Sequence, residues 1–258
     1  MILLPILVLL SGISLLTAIH HLDQSIVTYY DFVALVMVLG GTITLGIILL
    51  PWEYRKDIWK ATKFLVRKEK PQFPSVLREC ISVTKGMAPS PDRANDWLYK
   101  KILSDGVELV YLGLPTDRIE IILQERMFQT IKRWKKISAA VRNLAKYPPA
   151  FGLMGTVLGL VNIMRSLAEA SQASQLGAQM SIALVATMYG LLVANFIVNP
   201  IGELLLKKSE EEEDYAELAI ESVLLLSNKA SYIEAHEMLN AMVPDEHRLT
   251  FENLEEAA

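Results

Sequence analysis

Two threonines, Thr156 and Thr187, lie in strongly apolar stretches of the sequence, and each belongs to a stripe of small residues. Thr156 shares one helix face with Gly152 and Gly159, because these positions are spaced at i, i+4 and i+7. The second stripe consists of Ala183, Thr187, Gly190 and Ala194. Such stripes let helices approach closely, and each threonine either bonds back to its own backbone or adds a hydroxyl to a weakly polar lining around another helix. Both interpretations stay open on the residues alone.

The apolar stretches contain no Asp, Glu, Lys or His near their middles. Arg165 and Glu169 lie at one end of the stretch that contains Thr156. Proton and cation relays in membranes use intramembrane ionisable groups, which are costly and kept for function. We therefore expect that, if this chain conducts ions, the working carboxylate belongs to a partner.

Four stretches are long and apolar enough to cross a bilayer: residues 1–19, 32–50, 148–165 and 180–206. The first lacks the positively charged start and the small-residue cleavage site of a secretory signal, so we interpret it as a retained membrane helix. The sequence thus predicts an all-α, polytopic membrane protein with four transmembrane helices and a helical cytoplasmic domain.

Basic residues are confined to particular segments and predict the topology. Residues 1–50 hold no Lys or Arg, whereas residues 51–147 hold 20 of the 25. The positive-inside rule places that segment, and with it both termini, in the cytoplasm. The predicted parts are two N-terminal membrane helices (1–50), a cytoplasmic helical domain (51–147), two further membrane helices (148–206) and cytoplasmic C-terminal helices (207–258).

The two cytoplasmic parts carry opposite charge, with 11 acidic and 20 basic residues in 51–147 and 15 acidic and 4 basic in 202–258. We expect them to pack against each other. The apolar spacing predicts helices over 94–112, 116–147, 202–226 and 231–242, with Pro148 and Pro149 ending the second.

Other chemistry finds no support in the sequence. Cys80 is the single cysteine, and we find no catalytic triad, phosphate-binding loop or metal-spaced cluster, so we expect neither an enzyme nor a cofactor. His20 and His21 are adjacent, which places them on different sides of a helix and favours membrane-interface residues over a metal pair. The formal net charge of −4 gives no indication of nucleic acid, whereas the basic residues near position 132 favour contact with lipid headgroups or with an acidic surface of another protein.

Two segments resemble a known family. Residues 147–161 (YPPAFGLMGTVLGLV) and 183–195 (ALVATMYGLLVAN), the latter followed by Pro200-Ile201, closely resemble the third and fourth helices of the MotA/PomA flagellar stator proteins, whose superfamily includes the ExbB and TolQ energisers. The two spans before the cytoplasmic segment, the VLGGT motif at 38–42 and the tail 221–243 favour the stator branch.

The resemblance implies a stator subunit in the bacterial inner membrane. Several copies, in this family a pentamer, surround a MotB-like single-span subunit that carries the essential Asp and a peptidoglycan-binding domain, and ion flow turns the ring against a flagellar rotor protein of the FliG type. Thr156 and Thr187 match the family's pore-facing threonines, and Pro149 and Pro200 match its coupling prolines. The other residues expected along the ion pathway are Gly152, Gly159, Ala186 and Gly190.

The sequence departs from the family at two places. Sodium-driven members carry a Thr-Thr pair where this chain has Ala186-Thr187, and one fewer hydroxyl makes a poorer shell for a dehydrated sodium ion, so protons are favoured while sodium stays open. Around Gly86, the candidates for rotor contact are Lys85, Asp92 and Arg93, although their spacing differs from that of the family.

Two alternatives remain. An ExbB/TolQ-type energiser would couple the proton-motive force to outer-membrane work and normally has one span before the large cytoplasmic segment. A passive membrane scaffold would use its glycines only to pack helices.

Overall fold

The structure, a computed structural model, describes residues 30–66, 71–87, 97–168 and 173–249, and the regular elements in these ranges are all helical. The all-α prediction is therefore confirmed for the described residues. Three described helical stretches contain a window long and apolar enough to cross a membrane: Phe32–Leu49, Thr116–Arg165 and Ala183–Ser227. The second of these runs across a short turn, and the third runs across a π-helical segment. The predicted first span, residues 1–19, and the pair His20 and His21 lie outside the described residues, so a total of four spans stays a prediction.

The α-helices are α1 (Phe32–Leu49), α2 (Trp52–Val66), α3 (Phe73–Thr84), α4 (Leu98–Tyr111), α5 (Thr116–Leu144), α6 (Tyr147–Ala168), α7 (Ala173–Leu192), α8 (Asn199–Ser227) and α9 (Tyr232–Ala241). A π-helical segment, Val193–Val198, joins α7 to α8, and a 3-10 turn, Asp245–His247, follows α9. The chain forms two compact units. We call Met1–Lys60 with Ile137–Leu204 the membrane unit, and Ala61–Lys136 with Leu205–Ala258 the globular unit.

In the membrane unit, α1 packs against α6 and α7. Asp31 caps the start of α1, because its carboxylate accepts hydrogen bonds from the amides of Val33 (2.8 Å) and Ala34 (3.3 Å), which no helical carbonyl can satisfy. Gly41 makes the approach to α6 possible, since a Cβ at this position would lie 2.6 Å from the ring of Phe151.

The break between α5 and α6 falls earlier than the prolines predict. Helix α5 ends at Leu144, and Ala145 and Lys146 form a turn before α6 begins at Tyr147. Pro148 and Pro149 thus occupy the first turn of α6. A proline is tolerated there because the first amides of a helix have no intrahelical acceptor. The prediction that the prolines themselves end the long helix is wrong by a few residues.

The globular unit has an apolar core to which both of the segments predicted to be cytoplasmic contribute. Val76 of α3, Leu103 of α4, Leu123 of α5, Val223 of α8 and Leu239 of α9 are all fully buried in it. The expectation that residues 51–147 pack against the C-terminal segment is therefore confirmed. Burial of apolar surface provides most of the stabilisation, at roughly 25 cal/mol for each Å².

Opposite charges add a smaller contribution to the same contact. Lys135 Nζ lies 2.6 Å from Glu213 Oε2, but both side chains are partly exposed, so the pair contributes at most about 1 kcal/mol. The buried carboxylate of Glu212 also links the two segments. It accepts a 2.7 Å hydrogen bond from the backbone amide of Leu98 at the start of α4.

The C-terminal helix begins as its sequence predicts. Ser231 accepts a hydrogen bond from the Glu234 amide at 3.3 Å, and the Glu234 carboxylate in turn accepts one from the Ser231 amide. This reciprocal arrangement is a capping box. The prediction of a helix over 231–242 is confirmed, with α9 running from Tyr232 to Ala241.

Cys80 gives a direct test of the globular core. Its thiol is fully buried, and burial raises its pKa to about 12, so almost no thiolate forms at neutral pH. We expect iodoacetamide at pH 8 to modify Cys80 in the native protein at least about 100-fold more slowly than in the urea-unfolded chain. Mass spectrometry of the single cysteine measures both rates, and rapid labelling of the native protein would contradict this core.

Candidate functional site

The contact between α6 and α7 has almost no space for side chains. A Cβ at Gly152 would lie 2.7 Å from the carbonyl oxygen of Ala186, and one at Gly159 would lie 2.5 Å from the Cβ of Ala183. Real Cβ atoms do not approach other atoms so closely, so glycine is required at both positions. The two predicted stripes of small residues therefore meet each other within one chain.

The same contact continues to the beginning of α6. A Cβ at Gly190 would lie 2.5 Å from the carbonyl oxygen of Pro148 and 3.0 Å from the Cα of Pro149. The first turn of α6 therefore packs directly against the backbone of α7 at Gly190. This places the predicted coupling residue Pro149 at a tight contact between two helices of the membrane unit.

Thr156 and Thr187 lie on either side of this contact, as their positions in the two stripes suggest. The Thr187 hydroxyl donates a 3.2 Å hydrogen bond across the interface to the carbonyl of Gly152. The Thr156 hydroxyl instead donates 2.7 Å back to the carbonyl of Leu153, and the two hydroxyl oxygens are 3.5 Å apart. Because each hydroxyl also has acceptor lone pairs, the pair forms a small polar site in an apolar contact. Both threonines are partly exposed, so the site is not sealed inside the chain.

Ala186 is buried in the interface and contributes no side-chain oxygen to this site. A Cβ at Gly155 would lie 2.6 Å from the Ala186 Cβ, which shows how closely the two backbones approach here. Position 186 therefore provides a methyl group to helix packing, while position 187 provides the hydroxyl. The assignment of Gly152, Gly159, Ala186 and Gly190 to an ion pathway stays a prediction, because the structure shows these residues packing α6 against α7.

Pro200 follows the π-helical segment Val193–Val198, which the sequence interpretation missed. The Asn199 amide bonds to the Ala194 carbonyl five residues earlier, and Pro200 has no amide to donate. The helix is therefore locally widened immediately before the proline. Because prolines and π-helical segments are both common causes of helix kinks, this segment is a physically reasonable place for bending.

Two asparagines accompany this segment and were also missed. The Asn195 side chain donates a 3.0 Å hydrogen bond to the carbonyl of Leu191. The side-chain amide of Asn199 donates a 3.4 Å hydrogen bond to the side-chain oxygen of Asn195. Their presence four residues apart in an apolar stretch, next to a proline, is the signal that could have indicated irregular helix geometry.

The end of α5 is fixed to the beginning of α8 close to Pro200. The buried Ser138 hydroxyl donates a 2.8 Å hydrogen bond to the carbonyl of Gly202. Arg142 forms an ion pair of 3.2 Å with Glu203, and its aliphatic stem fills the space in which a Cβ of Gly202 would lie. A change in bend at Pro200 would therefore act on α5 as well as on α8.

Of the three residues predicted to contact a rotor, the structure describes one. Lys85 caps the C-terminus of α3, and its ammonium group lies 4.3 Å from the centre of the Tyr232 ring. Asp92 and Arg93 lie outside the described residues. Within residues 30–66, 71–87, 97–168 and 173–249, no group of three or more His, Cys, Asp or Glu residues has a geometry suited to a metal ion.

Comparison with known proteins gives consistent matches. The sequence model of the MotA/TolQ/ExbB proton channel family matches residues 94–218. Motility protein A of Borreliella burgdorferi is 33% identical over 137 residues, which is 53% of this chain and 50% of that protein. Chemotaxis protein PomA of Vibrio alginolyticus is 23% identical over 229 residues, or 85% of this chain and 87% of that protein. The chain thus spans half the length of the first relative and most of the second.

The fold also matches a solved structure. A chain in the structure of C. jejuni MotAB superposes with a TM-score of 0.82 at 15% sequence identity, covering 97% of this chain and 100% of that one. At this identity the superposition shows a common fold.

The glycine contact predicts a selective loss of stability. Gly190→Ala places a methyl group against the backbone of Pro148 and should destabilise the membrane unit by about 1–3 kcal/mol, the usual cost of overpacking. Gly40→Ala is the matched control, because no atom lies within 4 Å of its added Cβ. Thermal unfolding in detergent measures both, and equal midpoints for the two variants would contradict the described contact.

Proposed function

We propose that this chain belongs to the MotA/TolQ/ExbB proton channel family, in its MotA/PomA branch, and that it is a stator subunit of a bacterial flagellar motor. In this proposal the subunit forms an ion channel together with a MotB-like partner and converts ion flow into torque on the rotor. The observation that carries the proposal is the pair of threonine hydroxyls, 3.5 Å apart, between two apolar helices.

The polar site is incomplete for ion transport without a second chain. Thr156 and Thr187 offer lone pairs, but an aliphatic hydroxyl does not ionise at physiological pH, whereas a carboxylate can take up and release a proton. The apolar stretches of α1, α6 and α7 contain no Asp, Glu, Lys or His near their middles. The missing group is the intramembrane Asp of a single-span partner, which also anchors the complex to peptidoglycan.

The proposed assembly is the one that the resemblance to the stator family implies. Several copies of the chain, a pentamer in our proposal, surround the partner's helices in the inner membrane, with four spans per copy and both termini in the cytoplasm. A ring of identical subunits presents the same threonine pair to the central partner once per copy. Protonation of a partner carboxylate beside one copy then favours rotation of the ring to the next, which is a cyclic sequence of equivalent states.

The coupling to the cytoplasmic helices uses the two prolines. Pro149 lies in the tight first turn of α6 against Gly190, and Pro200 follows the π-helical segment. Both positions can change backbone geometry at lower cost than a regular helix interior. Because α8 continues through Pro200 into the globular unit, a bend at this point moves residues that face the rotor, with Lys85, Asp92 and Arg93 as the candidate contacts.

The transported ion in this proposal is the proton. Sodium requires several oxygen ligands to replace its water, and position 186 contributes a methyl group where a second hydroxyl would help. The close approach of α6 at Ala186 explains why a larger residue is disfavoured there. Proton transfer to a partner carboxylate needs no such shell.

The ExbB/TolQ-type energiser uses the same channel chemistry with a different load. Its usual single span before the cytoplasmic segment differs from the two spans predicted here at 1–19 and 32–50. Both the hydropathy of the N-terminal residues and the extent of the match to PomA, over 85% of this chain and 87% of that protein, favour the stator.

Two substitutions test the proposed function in cells that lack their own stator subunit and express the matching partner. Thr187→Val removes the hydroxyl but keeps the shape, and Pro200→Ala restores a regular helix, so we expect both proteins to insert normally and both strains to swim poorly. Thr187→Ser and Pro115→Ala are the controls, because the first keeps the hydroxyl and the second removes a proline in the globular unit. Full motility with both test variants, at membrane levels equal to wild type, would contradict the proposal.

A further inference from the structure

An open groove runs along the surface of the globular unit between α5 and α8, and the proposed function does not use it. Its volume is about 560 Å³. The lining residues are Glu120, Ile121, Gln124, Glu125, Met127, Phe128, Glu217, Ile220, Glu221, Leu224 and Met242. We propose that this groove, named the α5/α8 groove below, binds a basic amphipathic helix of a partner protein.

The floor of the groove is apolar and remains in contact with water. Ile220 is buried, whereas Ile121 is 60% exposed, Phe128 53% and Met242 43%. Large apolar side chains grouped at a concave surface are typical of a binding site. The methionine is flexible and polarisable, so it can adapt to side chains of different shape.

The length and direction of the groove suit a helix. Glu217 and Leu224 lie seven residues apart on α8, as do Ile121 and Phe128 on α5, which gives each wall two helical turns, or about 10 Å. Thr116 bonds to Ser227 near one end of the pair, so α5 and α8 are antiparallel neighbours. A third helix lying along them would insert side chains at i, i+3 or i+4, and i+7.

The rim of the groove is strongly acidic. Four carboxylates line it, and no lysine, arginine or histidine occurs among its lining residues. Glu120 and Glu125 accept hydrogen bonds from the neutral side-chain amides of Gln124 (3.0 Å) and Gln129 (2.6 Å). Lys132 contacts Phe128 from outside the groove, at 5.2 Å from the ring centre.

The electrostatics of the two carboxylates on α8 agree with a cationic occupant. Burial raises the pKa of the Glu221 carboxyl above its ordinary value, and the neighbouring Glu120 raises it further. Burial also raises the pKa of Glu217, with additional contributions from Asp214 and Glu213. Each charged form is therefore less stable than it would be in water, and lysine or arginine side chains placed at the rim would relieve this repulsion.

The chemistry of the occupant follows from these features. Apolar side chains fill the floor, and basic residues on both edges of the incoming helix face the four glutamates. The C-terminal segment of the same chain, residues 250–258, does not meet this requirement, because it carries Glu252, Glu255 and Glu256 and no basic residue. Like charges would repel it from the groove.

The test uses the full chain in phosphatidylcholine nanodiscs and a cysteine at the groove. Ile121→Cys introduces an exposed thiol, and Tyr111→Cys, at a 78% exposed position outside the lining, is the control. The probe is a synthetic 18-residue peptide of Leu and Lys in helical amphipathic order. We expect the peptide to slow maleimide labelling of Ile121→Cys at least about tenfold and to leave Tyr111→Cys unchanged.

Two further comparisons give the proposal its specificity. A scrambled peptide of the same composition and an amphipathic peptide of Leu and Glu should give no protection. The double variant Glu217→Gln/Glu221→Gln should weaken protection at least about fivefold, whereas Glu210→Gln/Glu246→Gln, with the same loss of charge outside the groove, should not.

Three results would overturn the proposal. The first is no protection by the basic amphipathic peptide, and the second is equal protection by the scrambled one. The third is an Ile121→Cys thiol that does not label but cross-links to another copy of the chain, since the groove would then be an interface between copies. None of these results depends on ion transport, so the proposed stator function is tested separately.

Discussion

The close approach of α6 and α7 is the constraint on which the membrane unit depends. Gly152, Gly159 and Gly190 bring the two backbones into direct contact, because a methyl group at any of them would meet another atom at 2.5–2.7 Å. Hydrophobic burial contributes little to helix association in lipid, so backbone contacts and interhelical hydrogen bonds determine the packing. The same proximity places Thr187 within 3.2 Å of the Gly152 carbonyl. Packing and polar chemistry therefore arise from one sequence pattern.

The globular unit is stabilised in a different way. Its helices bury a continuous apolar core, and Glu212 satisfies the Leu98 amide at the start of α4. Charge alone indicated which two segments pack together, but exposed pairs such as Lys135 with Glu213 contribute little. Other acidic residues of α8 take no part in the Lys135–Glu213 pair or in the hydrogen bond to Leu98. Among them, Glu217 and Glu221 lie beside exposed apolar side chains. These two carboxylates form part of the acidic rim of the α5/α8 groove.

Local patterns predicted part of this structure from the sequence. Helical spacing placed Thr156 and Thr187 each on a stripe of small residues, and the structure adds that the two stripes face each other, with the hydroxyl oxygens 3.5 Å apart. The π-helical segment before Pro200 was not predictable, because π geometry depends on small differences in hydrogen bonding that apolar periodicity does not report. The groove was also missed, since Glu120 and Glu221 meet only through the register of two helices distant in sequence.

The central claim is that this chain provides hydroxyls and helix packing while a second chain provides the titrating carboxylate. Proton flux into proteoliposomes in sodium-free buffer tests it most directly. The account predicts flux when the chain is reconstituted with a MotB-like partner, and only background flux with the chain alone or with a partner whose intramembrane Asp is replaced by Asn. Equal flux in all three preparations would contradict the account, because the pathway would then not need the partner's carboxylate.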